Sequence, residues 1–98
     1  DIYNSREHTE MLLAANGVKV DRWLDIGTKE LLKADLILSM ASLGYHYPFS
    51  TYAIDGFVIC DMRRANEVTK LAAIQAAGGK SIFTGPKYER MAWREPIQ

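Results

Sequence analysis

Apolar residues change period along the chain, and each period predicts an element. Over residues 4–16, His8, Met11, Leu12 and Ala15 recur at spacings of three and four, which predicts a helix with one apolar side. Asn4 and Ser5 offer N-cap oxygens, Glu7 stands three residues after Asn4, and Asn16-Gly17 supplies a left-handed stop. Residues 18–24 are rich in β-branched side chains and include Trp23, which predicts a strand. Residues 28–33 read as a single helical turn. Residues 34–40 contain the unbroken apolar run Leu36-Ile37-Leu38, the pattern of a strand buried on both faces.

Residues 41–55 keep no clean period. They are small, aromatic and Pro-containing, and predict a loop with a short helix after Pro48. Residues 57–62 form a second continuous apolar strand. Over 66–77, Val68, Leu71, Ala72 and Ile74 make the apolar side of a helix that Gly78-Gly79 ends. Residues 81–84, a Gly85-Pro86 turn and residues 87–93 predict two strands in an antiparallel hairpin. In the second of these, Glu89, Met91 and Trp93 alternate with Tyr88, Arg90 and Ala92, as in a strand with one buried face. This order predicts an α/β fold with a mostly parallel sheet that ends in an antiparallel hairpin. A ferredoxin-like α+β sandwich, with a mostly antiparallel sheet, is the alternative.

At 98 residues the chain is expected to be one domain, 1–98. Hydrophobic residues make up 48% and charged residues 24%, a globular composition. Twelve basic residues balance twelve acidic ones, which argues against phosphate neutralisation and hence against a nucleic-acid partner. Arg63, Arg64, Lys87, Arg90 and Arg94 read as a solvated charged face. A single cysteine, Cys60, sits in an apolar run and reads as a small hydrophobe. No apolar stretch approaches the roughly 20 residues of a membrane span. A cytoplasmic setting without membrane contact is expected. No His/Cys/Asp/Glu group has metal-ligand spacing.

The stretch Asp35-Leu36-Ile37-Leu38-Ser39, then Ser42-Leu43-Gly44-Tyr45-His46-Tyr47-Pro48 and Ser50-Thr51-Tyr52, resembles the fourth strand and following loop of sugar O-methyltransferases. These belong to the class I, Rossmann-like, S-adenosylmethionine-dependent methyltransferases. Phe57-Val58-Ile59-Cys60-Asp61-Met62-Arg63-Arg64 resembles their fifth strand. The resemblance implies the C-terminal half of that fold, with methyl transfer to a hydroxyl as the parent chemistry. It implies His46 as the base that takes the hydroxyl proton, because imidazole titrates near neutrality. Tyr45, Tyr47 and Tyr52 would line a sugar pocket, and Asp61 would bind an acceptor hydroxyl. Asp61 also suits an ion pair with Arg63 or Arg64. Asp25 occupies the place where this fold contacts the adenine of S-adenosylmethionine, and a capping role suits it equally. His8 reads as a packed or interface histidine.

Two departures qualify the resemblance. The first strand and glycine-rich loop that cradle the methionine moiety should precede residue 1. Leu24-Asp25-Ile26-Gly27 is no substitute, because only seven residues (28–34) separate it from Asp35 and a cofactor-binding βαβ unit needs roughly 30. Between Tyr52 and Phe57, Ala53-Ile54-Asp55-Gly56 is too short for a crossover helix unless residues 42–53 supply one. The chain alone is therefore expected to bind S-adenosylmethionine poorly. A non-catalytic α/β self-association module is the competing expectation. Under either reading, unpaired strand edges predict a homodimer.

Overall fold

A computed structural model describes residues 5–24, 30–40, 42–44 and 46–97. The elements are α1 (Arg6–Ala15), β1 (Leu31–Ser39), a short 3-10 helix (Phe49–Thr51), β2 (Ala53–Arg63), α2 (Val68–Ala76), β3 (Lys80–Thr84) and β4 (Tyr88–Glu95). The four strands form one mixed sheet in the order β1-β2-β4-β3. β1 and β2 are parallel, and β4 is antiparallel to both of its neighbours. It follows that β1, β2 and β3 share one direction and β4 alone opposes them. Only one of the three neighbouring pairs is parallel, so the expectation of a mostly parallel sheet is corrected to a mixed sheet, and the expected antiparallel hairpin is β3–β4. The other two neighbouring pairs are antiparallel, as the α+β alternative supposed.

Burial alternates along β2, as the two-residue period of a strand requires. Ile54, Val58, Cys60 and Met62 point to one face, where cross-strand partners Met91 and Trp93 of β4 join them. α2 covers this face with Leu71 and Ile74, three residues apart on one side of the helix. Leu43 and Phe49, from the connection between β1 and β2, complete the same core. Leu43 and Phe49 thus lie over the covered face, between the end of β1 and the start of β2. β2 begins at Ala53, earlier than the apolar run alone predicts.

Further expectations need correction. Residues 18–24 are not a strand: Val18 N–H donates to Leu13 O, and Trp23 lies under the Arg6 guanidinium, 5.0 Å from its ring centre. The segment folds back along α1, where β-branched side chains find a surface without a partner strand. Residues 31–33 belong to β1 rather than to a helical turn, while residues 25–29 lie outside the described residues. Finally, β1 is not buried on both faces. Ile37 is half-buried, but Leu36 and Leu38 are 51% and 60% exposed, because among the described residues no second layer covers the opposite face of the sheet.

α1 starts where predicted, with Ser5 Oγ accepting from the His8 backbone N–H at 3.2 Å. None of its residues is buried, and His8 is exposed rather than packed. Among the described residues, no helix is long and apolar enough to cross a membrane.

Candidate functional site

The connection that leaves the carboxyl end of β1 is the natural place to look, since ligands of open α/β sheets bind beyond those strand ends. Ser39 closes β1 and turns the chain: its Oγ accepts from Leu43 N–H at 3.0 Å. Gly44 then adopts φ +86°, a left-handed conformation, and its N–H donates to Tyr47 O at 2.7 Å. His46 N–H donates to Ser42 O at 2.8 Å, so backbone hydrogen bonds tie Ser42, Gly44, His46 and Tyr47 into a turn. The turn lies against the end of β2: a Cβ on Gly44 would come within 3.8 Å of Met62 Cα and 3.4 Å of Glu67 Cγ.

This turn presents His46 to solvent and leaves Tyr47 half-buried against the core. The two rings meet edge-on, with centroids 6.5 Å apart. Tyr45 and Asp25 lie outside the described residues.

Beyond Pro48 the connection is pinned to α2. Phe49 N–H donates to Glu67 Oε1 at 3.0 Å, its ring packs 5.4 Å from that of Trp93, and Lys70 Nζ stands 4.6 Å over the ring. Lys70 pairs with Glu95, whose Oε1 also accepts from Trp93 Nε1 at 2.8 Å. A cavity of about 750 Å³ opens beside this cluster, lined by Tyr52, Pro48, Ile54, Asp55, Lys70 and Glu95 among others. Its described lining does not include His46, Tyr47 or Asp61. Tyr52 thus sits by the start of β2, and Tyr47 by its end.

Asp61 is buried, yet its side chain belongs to the other face of the sheet. Arg90, its cross-strand neighbour, holds it in a fork, Nε to Oδ1 at 2.7 Å and Nη2 to Oδ2 at 3.2 Å. That bidentate pair raises the Arg90 pKa above its ordinary value. The expected ion pair is therefore present with a different arginine from the two neighbours in sequence. Arg64 instead ties the turn after β2 to the hairpin, donating to Glu89 Oε1, Tyr88 O and Gly85 O at 2.7, 3.1 and 2.7 Å.

Sequence reasoning missed Lys70, Glu67 and Glu95. Only Glu95 had a usable signal, since it continues the inward alternation of Met91 and Trp93. Cys60 is buried, and desolvation pushes its thiol up to about 12, so it is inert as a nucleophile. Among the described residues no His/Cys/Asp/Glu group could hold a metal ion. Comparison with protein-family models, with curated proteins and with solved structures gives no match.

Proposed function

We propose that the domain is methyltransferase-like, with transfer of a methyl group from S-adenosylmethionine to a sugar-type hydroxyl as its parent chemistry, incomplete in this chain. One observation carries the reading. The residues that resemble the sugar O-methyltransferases, 35–64, supply most of β1, the loop after its carboxyl end and most of β2, next to a last strand that runs against the others. This is the kind of sheet that the resemblance implies.

The chain's contribution would lie on the acceptor side. His46, exposed on the turn after β1, would take the hydroxyl proton while the oxygen attacks. Tyr47, with Tyr45, would line the acceptor near that turn, whereas Tyr52 at the far end of β2 and Asp61, forked by Arg90 on the opposite face, stand apart from it. Asp25 would meet the adenine. The cofactor itself would be held by a first strand and loop that these 98 residues do not contain.

Calorimetric titration of S-adenosylmethionine tests this. The chain alone is expected to give no micromolar binding. The same chain extended by any coding sequence that precedes Asp1 is expected to bind and to methylate sugar hydroxyls. Micromolar binding by the chain alone removes the incompleteness, and no binding by the extended protein removes the methyltransferase reading.

The second reading, a non-catalytic module that acts through self-association, is favoured by a separate observation. β1 is an edge strand, and Leu31, Leu36 and Leu38 on it are exposed. A homodimer through this edge is the form that the sequence suggests, and the chain's surroundings in the cell would be those of a soluble cytoplasmic protein.

A further inference from the structure

The face of the sheet opposite α2 carries an apolar stripe that crosses three strands. Strand register places Leu36 beside Phe57, and Leu38, Ile59 and Ala92 in one row. Leu36, Leu38 and Phe57 (43%) are exposed, while Ile59 and Ala92 are half-buried. All-parallel sheets are covered on both faces whereas antiparallel sheets can leave one to water, and β1–β2 is the parallel pair of this mixed sheet. Here the covered face has α2 with Leu43 and Phe49 of the connection, and among the described residues no helix lies on this face.

We propose that this face, rather than the β1 edge, is the contact through which two copies of the chain associate. The proposal rests on the self-association reading and names its surface. Three observations favour a second copy.

The first is the rim. One end of the stripe holds Asp61 with Arg90, and the other holds Asp55 with Arg94 at 2.7 Å, beside Lys33. Each end carries both signs. A two-fold axis that runs along the strands between β2 and β4 would set β2 against β4 of the other copy. Asp61 would then face Arg90 of the second molecule, and Ile59 would face Ala92. A surface with an apolar centre and a mixed-sign rim is self-complementary, as an isologous contact requires. A strongly charged partner would call for a rim of one sign.

The second is area. A half-exposed Leu or Phe leaves roughly 100 Å² in water, so the stripe offers on the order of 400 Å² of apolar surface, the size of the largest, often functional, patch on a monomer. The rim and the neighbouring Phe83, which stacks on Arg90 at 5.6 Å, extend it toward the roughly 800 Å² that each partner of a stable interface covers.

The third is the β1 edge itself. It is broken by a register shift between Lys33 and Leu36, with Lys33 and Asp35 beside it. Bulges and charges are the devices that keep edge strands from pairing. The open face has no such device at its centre.

The experiment is analytical ultracentrifugation of the wild-type chain across a concentration series, with Phe57→Glu and Leu38→Glu. Both side chains are exposed in the single chain, so circular dichroism should show each variant folded. The wild type is expected to dimerise, and each variant to weaken dimerisation at least tenfold. A second test mixes wild type with the charge-swapped D61R/R90D chain. Mixed dimers should be disfavoured, because like charges would then face each other. A folded Phe57→Glu that dimerises as well as wild type overturns the face contact and leaves self-association through the edge standing. A strictly monomeric wild type overturns both and assigns the face to a different partner.

Discussion

Gly56 of β2 lies directly against the backbone carbonyl of Ala34 in β1. The contact falls where the register shifts, with Ala34 and Asp35 together standing opposite this one glycine. A Cβ there would collide with the Ala34 oxygen and stand 3.0 Å from Ile37 Cδ1. Glycine in a strand often marks such a close approach of a second backbone.

Gly56→Ala is therefore expected to push β1 away from β2 and to cost about 1–3 kcal/mol, the range for overpacked sites. Urea denaturation gives the value. A variant as stable as wild type would mean that β1 yields easily at the bulge, and that the β1–β2 pairing tolerates more than this geometry allows.

Glu95 collects two donors, Lys70 Nζ and Trp93 Nε1, in a largely buried place. Lys70→Met leaves a buried carboxylate with the indole alone and is expected to cost about 2–3 kcal/mol, less than a fully buried pair because Lys70 is partly solvated. The double variant Lys70→Met with Glu95→Gln should lose clearly less than the sum of the two single losses. Denaturation of all four proteins measures the coupling, and simple additivity would show that the pair is not energetically linked.

Local periods carried much of the fold. Leu71 and Ile74 announce the inner side of α2, and Met91 and Trp93 announce that of β4, because each pattern reports burial against one layer. The run Leu36-Ile37-Leu38 predicts a strand correctly but not its surroundings. An apolar run says that both faces can be covered, not that a second layer exists in the chain. Val18 and Val20 look like a strand, yet strand formation needs a partner, and these residues lie along α1 instead. Ala53-Ile54-Asp55-Gly56 reads as a short connection, although it opens β2 and Gly56 is there for a neighbouring backbone. The position of His46 and Tyr47 after β1 was legible from the strand end. The Arg90 partner of Asp61 was not, since it is set by β2–β4 register across 29 residues of chain.

Glu89 links stability to acid. Ser81 Oγ chiefly holds its carboxyl below the ordinary 4.5, with Thr84 Oγ1 at 3.0 Å and Arg64 at 2.7 Å assisting. A carboxyl whose folded pKa is depressed adds stability above the unfolded value and loses it as pH falls through the folded one. Glu89→Gln should be less stable than wild type at neutral pH, with the difference shrinking as pH drops below 4.5. Urea midpoints across that range provide the check, and a difference independent of pH would assign the loss to packing alone.

Cys60 provides the opposite sign. Its thiol lies on the covered face, 3.6 Å from Leu43 O, and burial is the main cause that lifts its pKa from 9.0 to about 12, with Asp61 and Glu67 adding to it and the Ser39 hydrogen bond opposing. An acid whose folded pKa is raised contributes stability that is complete below 9.0 and is lost as pH climbs toward 12. The alkaline limb of the stability profile should therefore fall in wild type and flatten in Cys60→Ala. The native thiol should also react with a disulfide reagent only as fast as the chain opens, so labelling should accelerate with urea in step with unfolding. Labelling of the folded chain at the rate of an unfolded thiol would place Cys60 at the surface, and with it the face of the sheet that α2 covers.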